Sequence, residues 1–150
     1  MSGSGGIRQR PATIEDARLL FSWVNAVDSL LQKKLTIAPV AWDDHQAWVE
    51  NKISDPECLL EVIEREGLPI GQVRLEPKEC GHHVDVYVQP SERGEGIAET
   101  ALRDAIGRLN SRPVIAEVKL ENKASIHLFL TLGFQEVSRD ELLVRLVLEE

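Results

Sequence analysis

Apolar positions change period several times along the chain, and each change marks a new element. "IRQRPAT" reads as a short strand. Over residues 13–27, Leu19, Leu20, Trp23, Val24 and Val27 form a stripe at helical spacing, and Thr13 and Asp16 stand three apart as a capping pair. Residues 43–53 repeat the design in a shorter helix, with Asp43 and Gln46 at capping spacing and Trp48, Val49 and Ile53 as its buried side. "CLLEVIEREGLPIGQVRLEP" then supplies two β-rich runs about a turn at Gly67 to Pro69, a hairpin. In "HHVDVYVQP", Val84, Val86 and Val88 alternate with His83, Asp85 and Tyr87 until Pro90 ends the strand. Helical spacing returns from Gly94 with Ile97, Ala98, Ala101, Leu102, Ala105, Ile106 and Leu109. "RPVIAEVKL" is the next strand, "NKASIHLFLTL" a helix stopped by Gly133, and "FQEVSRDELLVRLVL" a closing hairpin. This order predicts an α/β (α+β) fold, a mixed sheet of six to seven strands with about four helices spread over both faces.

Composition narrows the function classes. A chain of 150 residues, 43% hydrophobic, suits one compact domain over residues 7–150 behind a flexible tail, "MSGSGG". The formal charge of −8, from 25 acidic and 17 basic residues, argues against nucleic acid and anionic membrane as partners and favours an amine-bearing ligand. Cys58 and Cys80 are too few for a disulfide framework and too far apart for a zinc pair, so no metal is expected. With neither a spanning apolar run nor a signal-peptide centre, the expected compartment is the cytoplasm. The terminal "ELLVRLVLEE" reads either as a core strand or as an edge that extends a sheet across a homodimer.

The candidate chemistry gathers at "QPSERGEGIAETALRDAIGRL", which sets Arg93, Gly94, Glu95, Gly96, Ile97 and Ala98 between a strand and the first turn of a helix. Main-chain N–H groups there lack helical partners, and the helix dipole adds partial positive charge, so a phosphate group can be held by backbone alone. A purely structural Gly-rich turn is the competing reading. The turn is not a P-loop, because the Lys-Ser/Thr pair is missing, and it lacks the third glycine of a dinucleotide fingerprint.

"VDVYVQPSERGEGIA" resembles the cofactor segment of the GNAT family of N-acetyltransferases, in which Arg or Gln, two residues, Gly, one residue and Gly or Ala follow a strand; Arg93, Gly96 and Ala98 match. "ENKASIHLFLTLGF" is similar to that family's second segment, through Asn122, Ala124, Ser125, Phe129, Gly133 and Phe134. The resemblance implies a sheet whose central strands part after Val88 and near Val114, with acetyl-CoA in the wedge. It implies cofactor contacts from Val86, Tyr87, Val88, Arg93, Gly94, Glu95, Gly96, Ile97, Ala98, Asn122, Ser125 and Phe129. A backbone N–H near Val86 or Tyr87 would polarise the thioester carbonyl. Asn122 could equally be only a helix cap.

One position departs from the family. Phe129 stands where a tyrosine usually donates a proton to the leaving thiolate, and phenylalanine has none to give. Tyr87, His127 and Ser125 are substitute donors; alternatively water protonates the thiolate, or the domain binds acyl-CoA without useful turnover. His82 and His83 open the central strand, and His83 is the candidate base, against a solvated strand edge as the alternative.

The acceptor side implied by the resemblance comprises Trp23, Asn25, His45, Trp48, Gln72 and Arg74. Residues 10–76 are loosely similar to the subgroup that acetylates nucleotide-linked amino sugars, although Ala26 replaces its acidic residue. Trp23 and Trp48 could instead be core anchors, and Arg74 could serve a phosphate or a neighbouring carboxylate. The expected reaction is acetyl transfer to a small-molecule primary amine by direct attack in a ternary complex, with a protein N-terminus, a polyamine or an aminoglycoside as the alternative acceptor.

Overall fold

A computed structural model describes residues 6–25 and 40–150. Ala26, Val27 and residues 1–5 of the tail lie outside the described residues.

The chain forms strand β1 (Ile7–Pro11), helix α1 (Ala17–Val24), α2 (Trp42–Ser54), β2 (Leu59–Arg65), β3 (Leu68–Lys78), β4 (Gly81–Val88), α3 (Ile97–Leu109), β5 (Val114–Lys119), α4 (Lys123–Thr131), β6 (Gln135–Arg139) and β7 (Leu143–Leu148). Short 3-10 turns at Ile14–Asp16 and Pro90–Glu92 lead into α1 and towards α3. The seven strands make one sheet in the order β1-β2-β3-β4-β5-β7-β6. Among the described residues, β4 and β5 are its one parallel pair. This is the expected mixed sheet with helices on both faces. Because β7 sits between β5 and β6, the C-terminal segment is an interior strand and not an edge offered to a second copy.

Strand alternation sorts the core into two sides. Val73, Leu75, Ala116, Val144 and Leu146 face α3 and α4, where Leu102, Ala105 and Phe129 cover them. Leu60 and Val62 belong to the other face, packed by Leu20 and Trp23 of α1 and Val49 of α2. Val62 pairs with Gln72 and Val73 with Val86, so Gln72 and Tyr87 share the α1/α2 face while Val73 and Val86 share the α3/α4 face.

Local chemistry shifts some predicted details. The Thr13 amide donates to Asp16 Oδ2 at 2.8 Å, as the capping spacing expects. Helix α2 instead starts at Trp42 behind Ala41, with no side-chain cap, and leaves Asp43 and Asp44 in the first turn, where they complement the helix dipole. Its inward line runs through His45 and Val49: Val49 is buried as expected, whereas Ile53, expected on the same side, is 40% exposed and His45 takes a buried place. In the β2–β3 hairpin the turn is made by Glu66 (φ 52°) and Gly67 (φ 84°). Pro69 falls inside β3 opposite Glu64, where the register shifts between Ile63 and Glu64.

Candidate functional site

β4 and β5 pair only through His82 with Val114 and His83 with Ile115, although β4 continues to Val88 and β5 to Lys119. Beyond those pairs the two strands part and leave a wedge in the middle of the sheet. The direction of the β4 main-chain groups follows from two bonds. Gln89 donates its N–H to Ile70 on the β3 side, at 2.8 Å, and His82 donates to Pro113 on the β5 side, at 3.0 Å. The β3–β4 register is unbroken between them. Alternation therefore turns the amides of Asp85 and Tyr87 into the β3 ladder and those of Val86 and Val88 towards the wedge. Of the two sequence candidates for a wedge-facing amide, Val86 is the one the ladder geometry leaves. The Val88 carbonyl, on the same side, accepts from Arg93 Nε at 2.6 Å.

At the mouth of the wedge the chain makes the Arg93–Gly96 turn and enters α3. Gly94 (φ 87°) and Gly96 (φ 77°) are left-handed, and a Cβ built on either meets no atom within 4 Å, so open space lies in front of the turn. The first main-chain bond of α3 runs from the Thr100 N–H to Gly96 O, at 3.0 Å, which leaves the amides of Ile97, Ala98 and Glu99 without intrahelical acceptors. The Ile97 and Val88 side chains are buried together with Ala101, and Ala98 packs beside them, so this segment presents backbone to the opening. The Arg93 guanidinium lies back over the Tyr87 ring, 5.3 Å from its centroid. Glu95 is held by Arg65 of β2 at 2.8 Å.

On the other flank, the Asn122 side chain caps α4, accepting from the Ser125 amide at 3.2 Å. Phe129 is 5% exposed, and its ring meets Phe134 edge-on at 5.1 Å. It shares its apolar cluster with Val118, Val84 and Val86, the strands that border the wedge. His127 is exposed on the same helix.

The α1/α2 face of the sheet carries the polar groups. Register places Gln72, Arg74 and Glu76 of β3 beside Tyr87, Asp85 and His83 of β4. His83 Nδ1 is 3.8 Å from Glu117 Oε1 on β5, and Arg145 of β7 donates to Glu117 Oε2 at 2.9 Å. His82 points elsewhere: it is buried, with Nε2 2.9 Å from the Glu57 carbonyl. Gln72 is buried, donates from Nε2 to Asp85 Oδ2 at 2.9 Å, and keeps an amide oxygen with no hydrogen-bond partner. Arg74 lies over Trp48 at 5.0 Å and pairs with Glu76 at 3.3 Å and Asp85 at 3.8 Å, so its charge already meets carboxylates. Burial alone would raise the Glu76 carboxyl, but Lys52 at 2.6 Å, Arg74 and Lys78 outweigh it and hold it below its ordinary range.

The expected acceptor residues divide accordingly. Trp48, Gln72 and Arg74 come together beside Asp85, with His45 stacked under Trp48 at 5.9 Å. Trp23 is a core side chain, 5% exposed, facing Tyr87 at 5.7 Å. Asn25 spends both amide groups on the Val40 backbone, donating at 3.0 Å and accepting at 2.7 Å, and so joins the two ends of segment 26–39. Asp85, Glu117, Arg145 and Arg65 were missed by sequence reasoning. Their period-2 placement is visible in the sequence, but which of them share a face depends on strand register. Among the described residues no group of three or more His, Cys, Asp and Glu is placed to hold a metal ion, and no helix is long and apolar enough to cross a membrane.

The sequence profile of the acetyltransferase (GNAT) family matches residues 25–134, a span that includes the wedge, the turn and α4. The chain belongs to the GNAT family. GNAT enzymes are acetyltransferases that use acetyl-CoA, which fits a wedge with an inward amide and an anion-ready turn. Among solved structures, a ribosomal-protein-alanine N-acetyltransferase from Brucella melitensis is similar at 25% identity and TM-score 0.79, covering 95% of this chain and 99% of that one. An N-acetyltransferase from Staphylococcus aureus Mu50 gives 23% identity and TM-score 0.81, over 96% and 98% of the two chains. Spermidine N-acetyltransferase from Vibrio cholerae, solved with CoA and spermine, gives 19% and 0.82, over 95% of each. A search of curated proteins finds no match.

Proposed function

We propose that this GNAT domain, residues 7–150, moves an acetyl group from acetyl-CoA to a primary amine of a small molecule, by direct attack in a ternary complex. The observation that carries the reading is the parted β4–β5 pair with the Val86 amide facing the gap and the Arg93–Ala98 turn at its mouth. When bound, acetyl-CoA supplies a thioester whose carbonyl carbon accepts the amine lone pair as the C–S bond breaks and CoA leaves as thiolate.

The residues then take separate tasks. The turn amides from Gly94 to Ala98 hold the diphosphate, with Arg93 and Glu95 at its border, and the wedge-facing groups of Val86 and Val88 hold the amide-bearing arm as an added strand would. The Val86 N–H donates to the carbonyl oxygen as negative charge grows there, a role worth roughly 3 kcal/mol of barrier. Val86, Tyr87, Val88, Ile97, Asn122, Ser125 and Phe129 form the walls. His83, oriented by Glu117, takes the proton the amine loses. Tyr87, on the same face, carries a hydroxyl that can return a proton to the thiolate, in place of the donor that Phe129 lacks.

A nucleotide-linked amino sugar is the acceptor supported by the resemblance over residues 10–76. Its amino group has a partner set in Asp85, half-exposed, and the unpaired oxygen of Gln72. The same two groups, together with the net charge of −8, favour a polyamine as the second reading. CoA-thiol release measured against UDP-amino sugars, polyamines, aminoglycosides and Ala-starting peptides separates these. Turnover confined to the sugars supports the first reading, and turnover confined to polyamines replaces it with the second. Intact CoA binding with no turnover on any amine sinks the enzyme assignment of these residues.

A further inference from the structure

The turn proposed to hold a diphosphate is unexpectedly acidic. Glu92, Glu95 and Glu99 fall within or beside it, against the single Arg93, whose guanidinium is folded back onto Val88 and Tyr87. Carboxylates beside a bound dianion repel it, and a nearby cation weakens that repulsion. The matching cation comes from another part of the sheet. Arg65, the last residue of β2, forks across the turn, with Nε 2.8 Å from Glu92 Oε1 and Nη2 2.8 Å from Glu95 Oε1. Glu99 is paired separately, with Arg103 at 2.9 Å. Arg65 is anchored by strand pairing, between Ile7 of β1 and Leu68 of β3, so its guanidinium starts from a fixed backbone.

We infer that Arg65 is a positioning residue for the cofactor: it masks and draws aside the Glu92 and Glu95 carboxylates so that the amides of Gly94 to Ala98 can donate to the diphosphate. The inference rests on the reading of that turn given above. Arg65 makes no claim on the phosphate itself. A planar fork reaches two carboxylates at once, which the single point charge of a lysine does not. The arrangement makes cofactor affinity depend on the balance of three side chains, one in the turn, one just before it and one on β2.

Charge variants separate masking from simple packing. CoA affinity is read by calorimetry on the intact protein, and S-acetyl-pantetheine, which lacks the diphosphate, serves as the control donor in steady-state assays. Arg65→Met should raise the Kd for CoA about tenfold, the effect of roughly one uncompensated charge near a dianion. Adding Glu92→Gln and Glu95→Gln to Arg65→Met should restore it. Glu95→Gln with Arg65 intact should bind CoA more tightly than the wild-type protein. The KM for S-acetyl-pantetheine should stay unchanged in Arg65→Met. An unchanged CoA Kd in Arg65→Met, a triple variant as weak as the single one, or an equal loss with S-acetyl-pantetheine overturns the inference while the site stands. A wild-type protein that gives no heat with CoA overturns the underlying reading as well.

Discussion

Gly96 and Gly67 offer a matched pair of backbone positions, one in the turn before α3 and one in the β2–β3 hairpin. Both are left-handed, at φ 77° and 84°, and a Cβ built on either touches nothing within 4 Å. Alanine at either site therefore meets no steric clash, and its whole cost is conformational, about 1–2 kcal/mol for an L side chain in that region. For a chain of this size that lowers the Tm by roughly 2–8 °C. The thermal penalty should be alike at the two sites and smaller for asparagine, which tolerates this region better. Ligand affinity should not be alike. The methyl of Gly96→Ala stands in the open space facing the helix amides, and calorimetry should show CoA bound about tenfold more weakly, close to 1.4 kcal/mol. Gly67→Ala should bind CoA as the wild type does. Equal weakening by both, or by neither, would refute the placement of the diphosphate at this turn.

Other expectations follow from single groups. Val86→Pro removes an amide that the β3 ladder does not use, so the fold should survive while kcat falls by about a hundredfold; loss of the folded state would place that amide in the ladder instead. Cys58 is pushed up to about 11, first by burial and then by the Glu76 charge, whereas Cys80 is exposed. A disulfide reagent at about pH 8 should thus find one fast thiol, Cys80, and a markedly slower one that speeds up on unfolding, and two fast thiols would contradict the partial burial of Cys58. Glu76 is held below its ordinary 4.5, so the stability it contributes is complete above that value and drains away as the pH falls through its folded value. Tm measured down to about pH 3 should show this loss, and Glu76→Gln should flatten part of it. Phe129→Tyr sets a hydroxyl among apolar side chains, costing about 1–3 kcal/mol in a melt without raising kcat; a clear rise in kcat would mean that proton delivery limits turnover.

Sequence carried the elements that depend on local pattern. The α3 stripe is buried at Ile97, Ala101, Leu102, Ala105 and Ile106 as its spacing requires, and the Asn122 cap and the Thr13–Asp16 pair both form. Misreadings occurred where tertiary context overruled local signals. Asp43 and Gln46 have capping spacing, yet Ala41 precedes the first turn, because the helix is fixed by its His45–Val49 face against the sheet. The sequence leaves Trp23 open between ligand contact and core anchor, and its burial against Tyr87 makes it the anchor. The Arg65 fork joins residues 27 and 30 positions away, and His83, Glu117 and Arg145 come from three strands. No period in the chain announces such meetings, because only register brings them about.

The parting of β4 and β5 also has a mechanical meaning. Among the described residues, two residue pairs are all that ladder one half of the sheet to the other at this seam. A ligand lying there supplies the missing rungs, so occupancy and cohesion rise together: the empty protein should breathe along this line in hydrogen exchange, and the loaded one should close it.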